Sequence, residues 1–453
     1  MRNYLLASAA LLGLVAAGTA QAATFATTDP SRNSSAFAGP QTKPEPGKII
    51  VHMGGLVDID AAYISTNTDK SSLGNAKNSP YGMGGYFRLY FGVDGKLANG
   101  MIYGAKTEIR TNFAGSQAGT YTGTAGLGNS SSNSTGSLLF TRRAYGYFGG
   151  DSWGIVRIGQ GDGPLSLFTG GGITTGEAFS TGAWDGDACV FTSASCLAWA
   201  FLDVGNEYVS NKVTWISPSW GGLNIGVSFA PESVGLWANG DNAASTGGAA
   251  RAANSPLTGE LTRPKNLFEV AARWQGNLGP VAVDAMAGYL GSSVVKPGNG
   301  AAYAANVSSV RGLSVFDAGL SLTFLGASVF GHISTGAMNG AATPVASLTS
   351  GRKKDGTAFA VGAQYSTGPY TVGTSWYQFE HQGVNTAGAG NRDERGFAVG
   401  GQYTLVTGVD FFLEYLYGRV HQSGVNFVDS AGPSTNNNAA KTSMLVASML
   451  FRW

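Results

Sequence analysis

Residues 101–111, MIYGAKTEIRT, place apolar and charged side chains alternately along the chain. One parity contains four apolar residues and the other contains three charges: Met101, Tyr103, Ala105 and Ile109 against Lys106, Glu108 and Arg110. Such alternation is typical of a β-strand whose two faces meet different surroundings. Because burying three successive charges in a β-sandwich would be very costly, the charged face requires water and the apolar face requires an apolar environment.

The same alternation recurs along most of the chain and predicts sixteen strands. They are predicted to begin near residues 49, 83, 100, 138, 153, 206, 221, 266, 280, 311, 326, 356, 369, 395, 408 and 441. Seven short turns interleave with eight longer polar segments, at 65–82, 114–137, 161–205, 231–265, 291–310, 336–355, 381–394 and 421–440. Short connections at one end and long ones at the other are typical of an even-stranded transmembrane barrel.

Soluble sandwiches and propellers also alternate, so strand length and barrel width must decide between the two classes. The predicted strands approach the roughly 9–11 residues that a tilted membrane strand needs. A barrel this wide could not be filled by apolar side chains, because about eight strands already give the largest packed interior. We therefore predict an all-β fold, a transmembrane antiparallel up-and-down β-barrel of about 16 strands with its apolar faces outward. Aromatic residues near strand ends would form its interfacial girdles: Trp153, Trp215, Trp220, Trp274, Trp376, Trp453, Tyr145 and Tyr147.

The amino-terminal residues predict export. Residues 1–22 combine Arg2, an apolar run and a small-residue end, as a cleaved signal peptide does. Residues 23–48 are rich in Pro, Ser and Thr and predict a flexible leader, so the barrel is expected to span 49–453. Without Arg2, 27 of the 28 basic residues remain beside 27 acidic ones, and this balance predicts no nucleic-acid partner.

Few residues suggest covalent or metal chemistry. In an exported chain, Cys189 and Cys196 predict a disulfide that closes one small loop, with half of a metal site as the alternative. The four histidines are scattered and predict no metal centre: His52, His332, His381 and His421. By parity, His332 is expected to face the interior, and the sequence places no nucleophile beside it. We expect no cofactor, no metal and no catalysis.

Three stretches resemble the general diffusion porins of Gram-negative outer membranes, of the alphaproteobacterial type. They are GYFRLYFGVDG at 85–95, RRAYGYFGGDSWGIVRIGQGDGP at 142–164 and the closing strand MLVASMLFRW at 444–453. The resemblance implies an outer-membrane, water-filled channel for passive diffusion of small hydrophilic solutes and ions, a homotrimer and contact with outer-membrane lipid. It also implies that the barrel assembly machinery reads Phe451 and Trp453 as an assembly signal, although similar porins typically end in Phe.

In similar porins the third long loop folds into the barrel, and its acids face basic residues on the opposite wall. The third connection here, 161–205, is the longest, and the resemblance assigns it the constriction acids Asp162, Glu177, Asp185 and Asp187. The basic wall would comprise Arg88, Lys106, Arg110, Arg142 and Arg157, whereas Arg143 would face the other way by parity. Such charges would set up a transverse field that favours hydrophilic solutes and biases ion selectivity.

Other interpretations remain open from the residues alone. The inward charges could simply solvate a polar lumen, or the barrel could be a substrate-selective channel for a sugar or an anion. A barrel that serves as an adhesin or an enzyme is a further alternative. By parity, Val446 and Leu450 face the interior, which makes that part of the wall less polar than a plain pore would need.

Overall fold

A computed structural model describes residues 42–68, 77–110, 140–168, 197, 210–232, 263–295, 312–338, 355–383, 389–427 and 438–453. They form a closed barrel of sixteen strands, each antiparallel to its neighbours, with β1 paired to β16. The strands are β1 (Ile49–Thr66), β2 (Tyr81–Lys96), β3 (Ile102–Arg110), β4 (Phe140–Gly150), β5 (Gly154–Gly161), β6 (Ser210–Ile216), β7 (Leu223–Glu232), β8 (Arg263–Leu278), β9 (Val281–Val295), β10 (Ser314–Phe324), β11 (Ala327–Ala337), β12 (Gly356–Thr367), β13 (Tyr370–His381), β14 (Arg392–Val406), β15 (Val409–Gln422) and β16 (Ala439–Arg452). One short helix, α1 (Pro164–Leu167), follows β5.

The sixteen-stranded barrel predicted from the sequence is confirmed. Each strand begins within about four residues of its predicted start, because period-two alternation is a local property of each strand. Within the described ranges, no helix has both the length and the apolar character needed to cross a membrane.

Large apolar side chains cover the outer face of the barrel, and polar side chains lie on the inner face. On β2, Phe91 is 40% exposed, whereas Asp94 on the opposite face is fully buried. On β1, Val51 and Ile59 are exposed while Asp58 is buried. A wall of exposed apolar side chains around a closed barrel requires hydrocarbon outside it. The apolar-outward arrangement is therefore confirmed.

The seam between the first and last strands is closed at one end by Trp453. Its backbone N–H donates to the Gly55 carbonyl at 3.2 Å, and the Gly55 N–H donates to the Trp453 carbonyl at 3.1 Å. The indole crosses Gly55 and stacks on Phe87 of β2, with ring centroids 6.3 Å apart and planes at 26°. Only glycine leaves this space, since a Cβ on Gly55 would lie 2.5 Å from Cζ2 of the indole. The last residue thus ties β16 to two strands.

Apolar residues also hold the seam from inside. Leu56, Tyr86, Phe412 and Leu450 form a buried cluster on the inner face of β1, β2, β15 and β16. The prediction that Leu450 faces the interior is confirmed, and so is that for Val446, which is buried in a larger cluster.

The larger cluster is the core of the molecule and lies between the wall and the third long connection. The connection contributes Leu165, Leu167, Phe168 and Leu197 to it. The wall contributes inward residues of strands on both sides of the seam, among them Met286, Leu290, Tyr377, Phe379, Leu416, Met444 and Val446. Burial of such side chains contributes about 1.5–3 kcal/mol each. The start of the connection packs against the part of this wall formed by β7, β8 and β9.

The end of the predicted leader is attached to the barrel. The Gly47 N–H donates to the Lys96 carbonyl at 2.7 Å, and Thr42 donates to Asp94. Residues 42–48 are therefore bonded to the barrel wall, and the flexible leader at 23–48 stays a prediction. Residues 1–41 lie outside the described ranges, so the signal peptide and the rest of the leader stay predictions.

We expect Gly55→Val to lower the fraction of folded barrel, because the new side chain occupies the space of the Trp453 indole. Overpacking of this kind costs about 1–3 kcal/mol. The fraction of refolded protein that migrates as a compact barrel on unheated detergent gels measures the effect. Gly331→Val is the matched control, because an added Cβ at that outward position has no atom nearer than 3.8 Å. Equal folded fractions for the two variants would contradict the role of the indole contact.

Candidate functional site

Two adjacent arginines of β4 both reach the interior because the strand carries a bulge. Glu108 of β3 lies opposite Arg143, and the next step of the ladder skips Arg142. Gln160 of β5 supports the bulge by donating to the carbonyl oxygen of Arg142 at 2.6 Å. The prediction that Arg143 faces the other way is wrong: its side chain is only 5% exposed and points inward. The extra residue of a bulge reverses the parity of the residues after it, and alternation alone does not reveal it.

Arg143 joins two buried carboxylates. Its Nε and Nη2 atoms donate to the two oxygens of Asp162 at 2.5 and 2.6 Å, and its Nη1 atom donates to Glu108. Arg142 adds a 3.4 Å contact from Nη1 to Glu108. Burial by itself raises the pKa of Asp162, but the Arg143 guanidinium outweighs burial and holds that pKa below its usual range. Asp162, the first residue after β5, is thereby fixed to the wall by a two-pronged ion pair.

Aromatic rings hold three further cations against the inner wall. The distances from the cation to the ring centroid are 4.0 Å for Arg157 over Tyr145, 4.5 Å for Arg88 over Tyr86 and 5.7 Å for Lys106 over Tyr147. Such cation–π contacts orient a charge without neutralising it. The prediction that Tyr145 and Tyr147 belong to an outer girdle is wrong, because both are buried and follow the inward parity set by the bulge.

These cations form a single group on neighbouring strands, which we call the basic band: Arg88, Lys106, Arg110, Arg142, Arg143 and Arg157. Arg88 and Arg110 lie directly opposite each other across β2 and β3. Like charges in that arrangement repel each other unless an anion lies nearby. Two carboxylates lie within the band, those of Glu108 and Asp162, and both pair with Arg143. Among the described residues, the Nε and Nη1 atoms of Arg157 have no hydrogen-bond partner. Six cations thus lie beside three buried carboxylates, those of Asp94, Glu108 and Asp162, and the group carries an excess of positive charge.

Helix α1 lies inside the barrel, against strands further along the wall from the basic band. It packs against β7, β8 and β9. The Leu165 N–H donates to a carboxylate oxygen of Glu269 at 3.1 Å, and Nζ of Lys212 lies 3.1 Å from the other oxygen. Gly288 leaves the space for the helix, since a Cβ there would lie 2.5 Å from Cδ2 of Leu165. The start of the third connection is therefore inside the barrel, where Asp162 attaches it to β4 and Leu165 attaches it to β8.

The structure brings the five predicted basic residues together and places the predicted acid Asp162 among them. Their role in permeation stays a prediction. The remaining predicted acids and both cysteines lie outside the described residues, so their positions and the disulfide stay predictions: Glu177, Asp185, Asp187, Cys189 and Cys196.

Sequence reasoning missed two members of the site, Arg143 and the acid Glu108. The inward parity of Glu108 was visible in the sequence, but nothing there indicated which cations surround it. The adjacent arginines at 142–143 were the only signal for the bulge, and strict alternation allows just one of the two to face inward.

Comparison with known proteins decides which family has this architecture. A family model described as Gram-negative porin matches residues 7–423. The chain belongs to the Gram-negative porin family. The family is one of channels, and this porin is an outer-membrane channel for passive diffusion. No curated protein matches the chain.

Several solved porin structures share the fold. The structure of OmpF from Salmonella typhi in complex with daunomycin has 12% identity and a TM-score of 0.55, over 89% of this porin and 97% of that chain. The anion-selective porin from Comamonas acidovorans has 15% identity and a TM-score of 0.52, over 89% and 100% of the two chains. The trimer form of in-vitro folded OmpT from Vibrio cholerae has 11% identity and a TM-score of 0.50, over 89% and 99%. At these identities the likeness shows the fold alone.

We expect Asp162→Ala in this porin to lower the free energy of unfolding by about 3 kcal/mol, because a buried charge on Arg143 loses one of its two carboxylates. The urea midpoint of the refolded barrel in detergent measures this change. Glu45→Gln is the control, since the pair of Glu45 with Lys48 is exposed and should contribute less than about 1 kcal/mol. Similar midpoints for the two variants would show that the buried pair does not fix the start of the connection.

Proposed function

We propose that the basic band is one wall of the pore constriction and that the channel passes small hydrophilic solutes and ions, with a preference for anions. The observation that carries the proposal is the charge of the inner face of β2–β5 and the residue that follows, where six cations lie beside three carboxylates among the described residues. Cations that are held by aromatic rings keep their charge available to the lumen. A ring of one sign of charge raises the local concentration of ions of the other sign.

The mechanism is electrostatic and involves no covalent step. Positive charge on the β2–β5 wall, facing acids of the third connection, would produce a field across the pore. Polar solutes and water orient along such a field, whereas apolar solutes must disturb the ordered water. Asp162 supports this arrangement. It is the acid of that connection that lies within the described residues, and it pairs directly with Arg143 of the band. Glu177, Asp185 and Asp187 would extend the acidic side.

A substrate-selective anion channel is the second candidate. The arrangement of Arg157 favours it, because its Nε and Nη1 atoms have no hydrogen-bond partner among the described residues although the side chain is only 3% exposed. A buried guanidinium with open donors is suited to bind a carboxylate or phosphate. The two candidates differ in whether conductance saturates as the concentration of one anion rises.

The finer features of the assembled protein belong to the same proposal. The chain would be exported through cleavage of residues 1–22, and the assembly machinery would read Phe451 and Trp453. Three copies would then associate within outer-membrane lipid. The solved OmpT structure is described as a trimer form, and the apolar outer wall supports contact with lipid or with another copy. The chain would carry out no catalysis.

Planar-bilayer recording of the purified protein tests the channel directly. We expect ohmic conductance steps that appear in groups of three, because three pores would insert together. Steps that appear singly would contradict the trimer and leave the pore intact. Protein that inserts but never conducts would contradict the channel itself.

We expect Arg88→Gln combined with Arg157→Gln to shift the reversal potential toward cation selectivity, since two positive charges leave the pore wall. The measurement is the zero-current potential across a salt gradient. Arg395→Gln with Lys441→Gln is the matched control, because it removes the same charge from two side chains that lie on the outward parity of β14 and β16. If both double variants shift the potential equally, the basic band does not line the constriction.

A further inference from the structure

Residues 42–48, which we call the amino-terminal strap, precede β1 and reach Asp94 on the inner face of β2. Beside β1, Gly47 bonds to the Lys96 carbonyl at 2.7 Å, and the Lys96 N–H donates back to Lys48 at 3.4 Å. Lys96 is the last residue of β2 and precedes a short connection. Pro44 is buried, and Thr42 is partly buried. The strap thus bends over the end of the barrel that carries the short connections.

The strap ends on a single interior carboxylate. Both the backbone N–H and the hydroxyl of Thr42 donate to Oδ2 of Asp94 at 2.8 Å. The Tyr147 hydroxyl donates to Oδ1, and Nε2 of His52 lies 3.3 Å from Oδ2. Asp94 has no exposed surface. Two of the contacts that cover this acid therefore come from a segment that is not part of the barrel wall.

Asp94 would otherwise oppose the basic band. It lies on the inner face of β2, two residues from the end of the strand, and the Tyr147 ring that contacts it also holds Lys106 of the band. A carboxylate open to the lumen at this position would attract cations and reduce the positive potential that Lys106 contributes. The sign of charge that a permeating ion meets at this mouth thus depends on whether Asp94 is covered.

We propose that the amino-terminal strap determines ion selectivity: Thr42 covers Asp94 and removes this acid from the permeation path, so that the mouth of the pore remains basic. The inference rests on the proposed function, and it goes beyond it by assigning selectivity to a residue outside the barrel. Thr42 acts on ions through Asp94 and does not itself bind them.

Deletion of residues 23–44 tests the proposal in the full barrel. We expect the reversal potential to shift toward cations, because water and cations gain access to the Asp94 carboxylate. The deleted segment also carries two basic residues and one acidic residue, Arg32, Lys43 and Asp29, so its own charge must be separated from the effect on Asp94. The same deletion in an Asp94→Asn background makes this separation, and there we expect no shift.

Thr42→Val provides a second variant that keeps the length and charge of the chain. It removes one of the two hydrogen bonds, so it should produce a smaller shift in the same direction, and again none beside Asp94→Asn. A merely structural role for the strap would change the folded fraction and leave the selectivity of the folded channels unaltered.

The outcomes distinguish failure of this inference from failure of the proposed channel function. Conductance without any shift after deletion would overturn the role of the strap and leave the channel intact. An equal shift with Asp94 and with Asn at that position would also overturn it, because the charge of the strap would then be the cause. Absence of conductance in the unmodified protein would overturn both.

Discussion

In the hydrocarbon of a membrane, a backbone N–H or C=O group finds no water, so each strand must have a partner on both sides. This requirement is hardest to meet at the seam, where the first and last strands of the chain must find each other. The pairing runs from Leu56 opposite Arg452 to Thr66 opposite Thr442. Beyond it, the Asn67 side chain accepts from the Lys441 N–H at 2.7 Å and donates to the Ala439 carbonyl at 2.8 Å. At the other end Trp453 and Gly55 bond to each other, so the closed wall leaves no free edge there.

Closure of so wide a barrel creates an interior that must be organised by something other than a simple packed core. The third connection solves this by carrying its own apolar residues to the inner wall, where they meet the largest buried cluster of the described structure. Helix α1 has only four residues, and its N-cap residue, Gly163, provides no side-chain hydrogen bond. Glu269 of β8 accepts from the Leu165 N–H instead, so the barrel wall satisfies a first-turn N–H group that a capping side chain would otherwise bond.

The interior charges are held in two different ways. Arg143 is paired with two carboxylates and acts mainly as a structural fixture for the start of the connection. Arg88 and Arg157 lie on tyrosine rings instead. Asp94 is covered by Thr42 and Tyr147, so an acid that would oppose the band is kept from the water. In the constriction that we propose, these contacts would bias one wall of the pore toward positive potential.

The sequence by itself determined the strand number, the interleaving of short and long connections and the choice of lipid as the outer solvent, because period-two alternation and turn composition are local properties. It also determined that Arg88, Lys106 and Arg110 share the inner face. Only the tertiary structure decided that Arg143 joins them, since a bulge depends on the register between β3 and β4. The contact of Thr42 with Asp94 was likewise invisible, because β1–β2 pairing places Asp94 beside Ile50, but the path of the segment before β1 follows no pattern along the chain. The sequence predicted that Val446 and Leu450 face the interior, but only the structure showed which apolar residues they cluster with.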